Sequence, residues 1–171
     1  LASLMYQESR FDPQAESWAG AKGLMQVMPV TGKHFGIENL NHPESNMRAG
    51  IAYLSYLKKY WSVIPDSLQR MKFILASYNA GHGHVSDARR LAEKYGKNPN
   101  VWDDNVETYI LKKSKPRYYN DEVVKYGYVR GYEPFTYVRR ILERHDHYTE
   151  ILDEQKGYAA NQQNRTVWLE Q

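Results

Sequence analysis

The chain contains no cysteine in 171 residues. That absence excludes disulfides and thiolate nucleophiles, and it leaves the redox compartment open. Long hydrophobic runs are also missing, and none approaches the roughly 20 apolar residues needed to cross a bilayer. Charge of one sign is scarce: 23 Lys and Arg against 20 Asp and Glu leave a net +3. The basic residues lie beside acids, so nothing argues for a nucleic-acid partner. No alternating strand pattern of useful length is present, nor an internal repeat. There is no start methionine and no signal-like segment. The expectation is an excerpt of a longer protein, with any targeting segment or membrane anchor outside this window.

Tyrosine is what the chain has in excess, with 15 against 4 phenylalanines. A tyrosine packs its ring and keeps a hydroxyl at the edge. Such residues suit a groove for a long polar ligand with flat apolar faces, such as a sugar chain, although each taken singly also serves as core. Tyr118, Tyr119, Tyr126, Tyr128 and Tyr132 are the candidates for lining it.

Helical periodicity runs through most of the chain. Leu1, Leu4, Met5, Glu8 and Phe11 share one face of a first helix that ends near Arg10, and Asp12-Pro13 closes it because proline disfavours helical geometry in the preceding residue. Pro29 stops a short apolar piece from Gly23 to Met28, and a turn follows over 31–35. Pro43-Glu44 opens a strong helix with Met47, Ile51, Leu54, Leu57 or Lys58, and Trp61 inside. Asp66 caps the next, burying Leu68, Met71, Leu75 and Tyr78. Val85, Ala88, Leu91 and Ala92 mark another, ended by Gly96. A helix over 103–112 precedes an irregular 115–119, and Pro134 starts a last long helix with Phe135, Val138, Ile141, Leu142 and His145 on one side. The fold class is therefore all-α, or α-dominated α+β at most. The domain spans residues 1–150, and residues 151–171 form a loosely held tail.

Several chemistries fail on spacing. His82 and His84, or His145 and His147, lack the i, i+4 arrangement of a zinc protease site, so no metal is expected. The glycines form neither a P-loop nor a dinucleotide fingerprint, no serine sits in a nucleophile elbow, and no cofactor is implied. Glu8 stands apart as a carboxylate on an otherwise apolar stripe, which is costly if it stays charged and unpaired. It leans to the edge, finds a partner, or is held there for its chemistry. Glycosidases usually use two carboxylates. Asp12 and Glu16 lie in a polar loop and look solvated, so the sequence offers one special acid.

Four ordered motifs resolve the choice. They are Glu8-Ser9-Arg10-Phe11, Gly23-Leu24-Met25-Gln26-Val27-Met28-Pro29, Ala76-Ser77-Tyr78-Asn79-Ala80-Gly81 and Glu133-Pro134-Phe135-Thr136-Tyr137-Val138. Together they resemble the catalytic domain of lytic transglycosylases, enzymes that cleave peptidoglycan glycan strands, over roughly residues 1–148. The stretch from Lys125 to Pro134 is similar to the membrane-bound lytic transglycosylase F branch. That branch carries an N-terminal domain like a periplasmic solute-binding protein.

The resemblance implies a compact lysozyme-like helical domain with an active-site cleft. It makes Glu8 the catalytic acid and base, and Ser17 a contact to the reacting sugar. Gln26 and Met28 would line the cleft, with the Tyr78-Asn79 pair facing Glu8. Glu133 and Tyr137 match a last motif that more often reads Glu-Thr-Arg-x-Tyr-Val; Pro134 and Phe135 stand here for the Thr and Arg. The implied reaction cuts between N-acetylmuramic acid and N-acetylglucosamine and leaves a 1,6-anhydro sugar. The implied partner is the glycan strand, met as a monomer in the bacterial cell envelope. Two rivals remain: a goose-type lysozyme hydrolase with a water nucleophile, and a non-catalytic peptidoglycan-binding module.

Overall fold

Each helix begins where the sequence supplies a start signal. The computed structural model describes the backbone of residues 1–167 and the side chains of residues 1–156. Eight α-helices follow in order: α1 Ala2–Ser9, α2 Pro29–His34, α3 Pro43–Tyr60, α4 Ser67–Ala80, α5 His82–Lys94, α6 Glu107–Lys112, α7 Pro116–Tyr119 and α8 Tyr132–Val167. Proline occupies the first turn of α2, α3 and α7, where its missing N–H costs nothing. The Asp66 carboxylate caps α4 by accepting the Gln69 N–H at 2.7 Å. Among the described residues there is no β-strand beyond isolated bridges of Lys22 with Glu16 and Val27, so the all-α expectation holds.

The core forms around α4, which packs against α3, α5 and α8. Phe73, Ile74, Leu75, Ala76 and Ser77 are buried in succession, so this helix is enclosed on most of its faces. Trp61 and Trp102 flank Phe73, with ring centroids at 5.0 and 5.6 Å. The Trp61 indole N–H donates to Ser77 Oγ at 2.8 Å, which satisfies both groups inside the core.

Several sequence expectations need correction. Helix α1 ends near Arg10 as expected, but it is left-handed backbone at Arg10 and Phe11, with φ of 54° and 66°, that closes it ahead of Asp12-Pro13. Leu1 and Phe11 are exposed, so only Leu4 and the partly buried Met5 carry that stripe into the core. On α3 the buried face is Asn46, Ala49, Gly50 and Leu57, continuing into Trp61, while Ile51 is exposed. On α4, Leu68 and Met71 are exposed. Asp103 and Asp104 form a turn before α6, and 116–119 is helical. Helix α8 starts two residues before Pro134 and runs through the expected boundary at residue 150, while His145 is exposed. Residues 151–156 of the expected tail are exposed, and 168–171 lie outside the described residues.

Two close approaches organise what surrounds the site. At Gly50 an added Cβ would meet Met25 Sδ at 2.5 Å, so α3 lets the loop after α1 sink onto it. At Gly131, just before α8, a Cβ would meet the Ile110 carbonyl oxygen at 1.8 Å. Backbone cannot give way there as a flexible side chain could. Gly131→Ala is expected to cost about 2–3 kcal/mol of stability, read as a lowered denaturant midpoint with unchanged slope.

Candidate active site

Glu8 lies in the last turn of α1, where that helix packs against α8. Its carboxylate oxygen Oε1 accepts a hydrogen bond from the hydroxyl of Tyr137, a buried residue of α8. A phenol is a donor without charge, so Glu8 has found a partner but not a counterion. Burial pushes the Glu8 carboxyl from the ordinary 4.5 up to about 7, and the Tyr137 hydrogen bond only partly opposes this. Tyr78 on α4 stands near the same carboxyl. Burial first, and then the Glu8 charge, push the phenols of Tyr78 and Tyr137 well above their ordinary range. Both phenols therefore keep their protons, and Glu8 is the group poised to exchange one near neutral pH.

The loop between α1 and α2 forms one wall of the site. The Ser17 N–H donates to the Ala21 carbonyl at 2.9 Å, and Lys22 and Val27 exchange a pair of backbone bonds at 3.1 and 3.0 Å. Its anchor is Asn46, fully buried on α3. The Asn46 amide accepts the Met25 N–H at 2.9 Å and donates to the carbonyls of Lys22 and Leu40 at 2.6 and 3.0 Å. Gly23 has φ of +70° and sits where a Cβ would strike the Asn46 amide at 2.6 Å. The Tyr78 hydroxyl ties the loop to α4 by donating to the Met25 carbonyl at 2.8 Å.

The other expected residues divide into two groups. A cleft of about 270 Å³ is lined by Gln7, Asn79, Glu133, Thr136, Tyr137 and Arg140, so Asn79, Glu133 and Tyr137 meet there. Glu133 is exposed and lies 3.5 Å from an Arg130 guanidinium nitrogen. Ser17 and Gln26 instead brace the loop. Ser17 Oγ accepts the Ala21 N–H at 3.0 Å, and Gln26 Nε2 donates to the carbonyls of Ala15 and Gly23 at 3.0 and 3.1 Å. Met25 is fully buried, whereas Met28 is exposed at the start of α2. A larger apolar cavity of about 680 Å³ lies between Leu1, Ile51, Leu68, Met71 and Leu142, and it contains none of these site residues. Among the described residues no cluster of His, Asp and Glu could hold a metal ion.

The expected tyrosines scatter. Tyr118 packs against Tyr95 and Tyr109, Tyr128 meets Tyr119 edge-on, and Tyr132 borders the cleft beside Glu133. Sequence reasoning missed Asn46, whose only signal is a polar residue on an apolar helix face. It also missed Arg144, which lies over the Tyr6 ring at 4.3 Å and contacts Gln7 at 3.3 Å, joining α1 to α8.

Two curated relatives are membrane-bound lytic murein transglycosylases F. The one from Desulfosudis oleivorans is 42% identical over 92% of this chain, and the one from Shewanella woodyi is 43% identical over 95%. The chain spans about a third of the length of both, 33% in each case. Among solved structures, the 70 kDa soluble lytic transglycosylase SLT70 from Escherichia coli matches 82% of the chain and 19% of its own, at a TM-score of 0.52 and 27% identity. An inactive glutamate-to-glutamine mutant of lytic transglycosylase Slt from Pseudomonas aeruginosa matches 88% of the chain and 21% of its own, at 0.54 and 25%. The transglycosylase SLT domain model matches residues 1–101, more than half of the sequence, and the chain belongs to that family.

Proposed function

We propose that this chain is the catalytic domain of a peptidoglycan lytic transglycosylase. It would cleave the MurNAc-(β1,4)-GlcNAc bond without water and leave 1,6-anhydroMurNAc. The observation that carries the reading is the Glu8 carboxyl, pushed up to about 7 by burial and, among the described residues, hydrogen-bonded only by a neutral phenol. In its protonated form Glu8 donates to the glycosidic oxygen as the C1–O bond breaks. The resulting carboxylate then takes the proton of the muramic C6 hydroxyl as that oxygen bonds to C1. The nucleophile is tethered to the reacting sugar, so its effective concentration is high and no second carboxylate is needed to orient a water. The inactive glutamate-to-glutamine form of the Pseudomonas aeruginosa enzyme fits a mechanism that loads one glutamate.

In this reading Tyr137 orients Glu8, Tyr78 ties the loop wall to α4, and Asn79, Glu133 and Met28 face the substrate. Ser17 and Gln26 hold the loop and offer the sugar only their remaining polar atoms. The parent protein would act on glycan strands in the bacterial envelope, with a solute-binding-like domain ahead of the 1–150 unit and any anchor outside these residues. No helix among the described residues is long and apolar enough to cross a membrane.

Mass spectrometry of the fragments released from purified peptidoglycan tests the proposal. Products lighter by one water than hydrolysed ones, with no reducing end, are expected. Reducing products would replace it with a hydrolase, for which Glu133 is the carboxylate among the residues lining the cleft. The pH profile adds a second check. Because the acid form of Glu8 starts the reaction, kcat/KM is expected to fall about tenfold per pH unit once pH exceeds about 7. Tyr137→Phe removes the donor that favours the carboxylate, so its alkaline limb should move to higher pH. An unmoved limb would remove Tyr137 from this role.

A further inference from the structure

A line of aromatic rings leaves the catalytic carboxyl and follows α3. It starts at Tyr78, whose phenol feels the Glu8 charge. The ring of Tyr53 lies 5.3 Å from that of Tyr78, Tyr56 lies 6.3 Å beyond and nearly parallel at 14°, and Tyr60 lies 6.2 Å further on. Positions 53, 56 and 60 are spaced three and four apart, so one helix face carries all three over about 10 Å of rise. Phe35, just after α2, stands 6.5 Å from Tyr56 on one side. His82, at the start of α5, stands 4.6 Å from Tyr60 on the other.

Three features separate this line from ordinary core. Tyr56 and Tyr60 are 37% and 41% exposed, so ring surface faces solvent. Tyr60 is fixed in place by a 2.9 Å hydrogen bond between its hydroxyl and Ser86 Oγ, whereas the Tyr56 hydroxyl has no protein partner among the described residues. Among the described residues its ring contacts include no carboxylate; besides tyrosines and Phe35 they include His34, packed on Phe35 and Tyr56, and His82, whose imidazole burial pulls below its ordinary range. A row of fixed rings with hydroxyls at their edges matches a ligand of flat apolar faces rimmed by hydroxyls. It does not match a charged peptide.

We infer that Tyr53, Tyr56 and Tyr60, with Phe35 and His82 as flanks, form an extended subsite that stacks against sugar rings of the glycan strand several residues from the bond that Glu8 cleaves. This rests on the transglycosylase reading for the identity of the strand, and on the continuity of the rings with Tyr78 for its direction. The strip gives the enzyme a grip on long strands that a short fragment cannot use.

The test measures binding apart from turnover. In a Glu8→Gln background, affinity is titrated calorimetrically with peptide-free glycan strands and with chitooligosaccharides of graded length. Tyr56→Leu and Tyr60→Leu are each expected to weaken binding of the long ligands about tenfold, with the deficit shrinking as the ligand shortens. Tyr56→Phe keeps the ring and should stay close to the parent, as should Tyr56→Trp, and these variants separate lost stacking from misfolding. Equal affinity of Tyr56→Leu and the parent for long strands, with native melting, overturns the subsite, as does a parent that binds no glycan. Product mass reports on the reaction independently. Reducing products together with a Tyr56-dependent affinity would remove the transglycosylase reading and leave the subsite standing.

Discussion

Glu8→Gln is expected to lower turnover on peptidoglycan by about 10³-fold while making the folded protein more stable at neutral and alkaline pH. Glutamine keeps the shape and can still accept the Tyr137 hydroxyl, but it cannot deliver an acidic proton to the leaving oxygen. The stability gain follows from the same burial that tunes the acid. The folded carboxyl titrates at about 7 against an ordinary 4.5, so the native state holds its proton more tightly than the unfolded chain does. Stability from that proton is full below pH 4.5 and is lost as pH rises through 7. The wild type then carries a poorly solvated charge worth roughly 2–3 kcal/mol, and the amide does not. Melting scans of both proteins at pH 4 and pH 8 should coincide at the first and separate at the second. Turnover within tenfold of wild type would remove Glu8 from the chemistry. Equal melting at pH 8 would show that its carboxyl is not held in its acid form. The exchange of stability for activity is the usual condition of a group held in an environment it would not choose.

Glu8 was legible because its cost was legible: one acid on an apolar stripe demands an explanation even before its partner is known. Helix starts at Pro43 and Asp66 were equally readable, since proline and a capping carboxylate act locally. What could not be read was which face of each helix the fold encloses. Ile51, Leu68 and Met71 obey helical spacing and still end up exposed around a cavity that holds none of the site residues. Helix α4 is buried so broadly that Ser77 lies inside, a placement that depends on the Trp61 indole reaching it from another helix. The site itself is assembled over long sequence separation. Tyr137 meets Glu8 across 129 residues, and Asn46 pins the loop from 21 residues beyond Met25. The aromatic strip shows the same limit. Its spacing on α3 is plain, but periodicity credited the buried face to Met47, Ile51 and Leu54, so the row of tyrosines beside it went unread.

Asp87→Ala is expected to be the most destabilising of the changes considered, at about 3–5 kcal/mol, because it removes one half of a buried ion pair. Asp87 on α5 and Lys113 after α6 are both fully buried, with a 2.6 Å bond between them. Arg90 pairs with the other carboxylate oxygen, Oδ1, which also accepts the Lys125 N–H at 2.8 Å, while the Tyr126 N–H donates to Oδ2, the Lys113 oxygen, at 2.9 Å. Burial alone would push the Asp87 carboxyl up, but Lys113 and the two backbone N–H groups hold it below the ordinary 3.8. Its stability is therefore present above the unfolded pKa and lost as pH falls through the lower folded one. Wild type should show an acid-unfolding limb below about pH 4 that is shallower in the variant. In Asp87→Ala the Lys113 ammonium is left without its carboxylate inside the protein. Pairing Asp87→Leu with Lys113→Met should consequently recover the part of the loss that comes from the stranded ammonium, but not the part from the Lys125 and Tyr126 N–H groups left without an acceptor. The two N–H groups tie the segment before α8 onto α5, and α8 carries Glu133 and Tyr137 into the cleft. Amide exchange at Lys125 and Tyr126 should accelerate in the variant before the core opens. Protection unchanged there, with stability lost elsewhere, would show that the pair holds α5 and α6 together but not the approach to the active site.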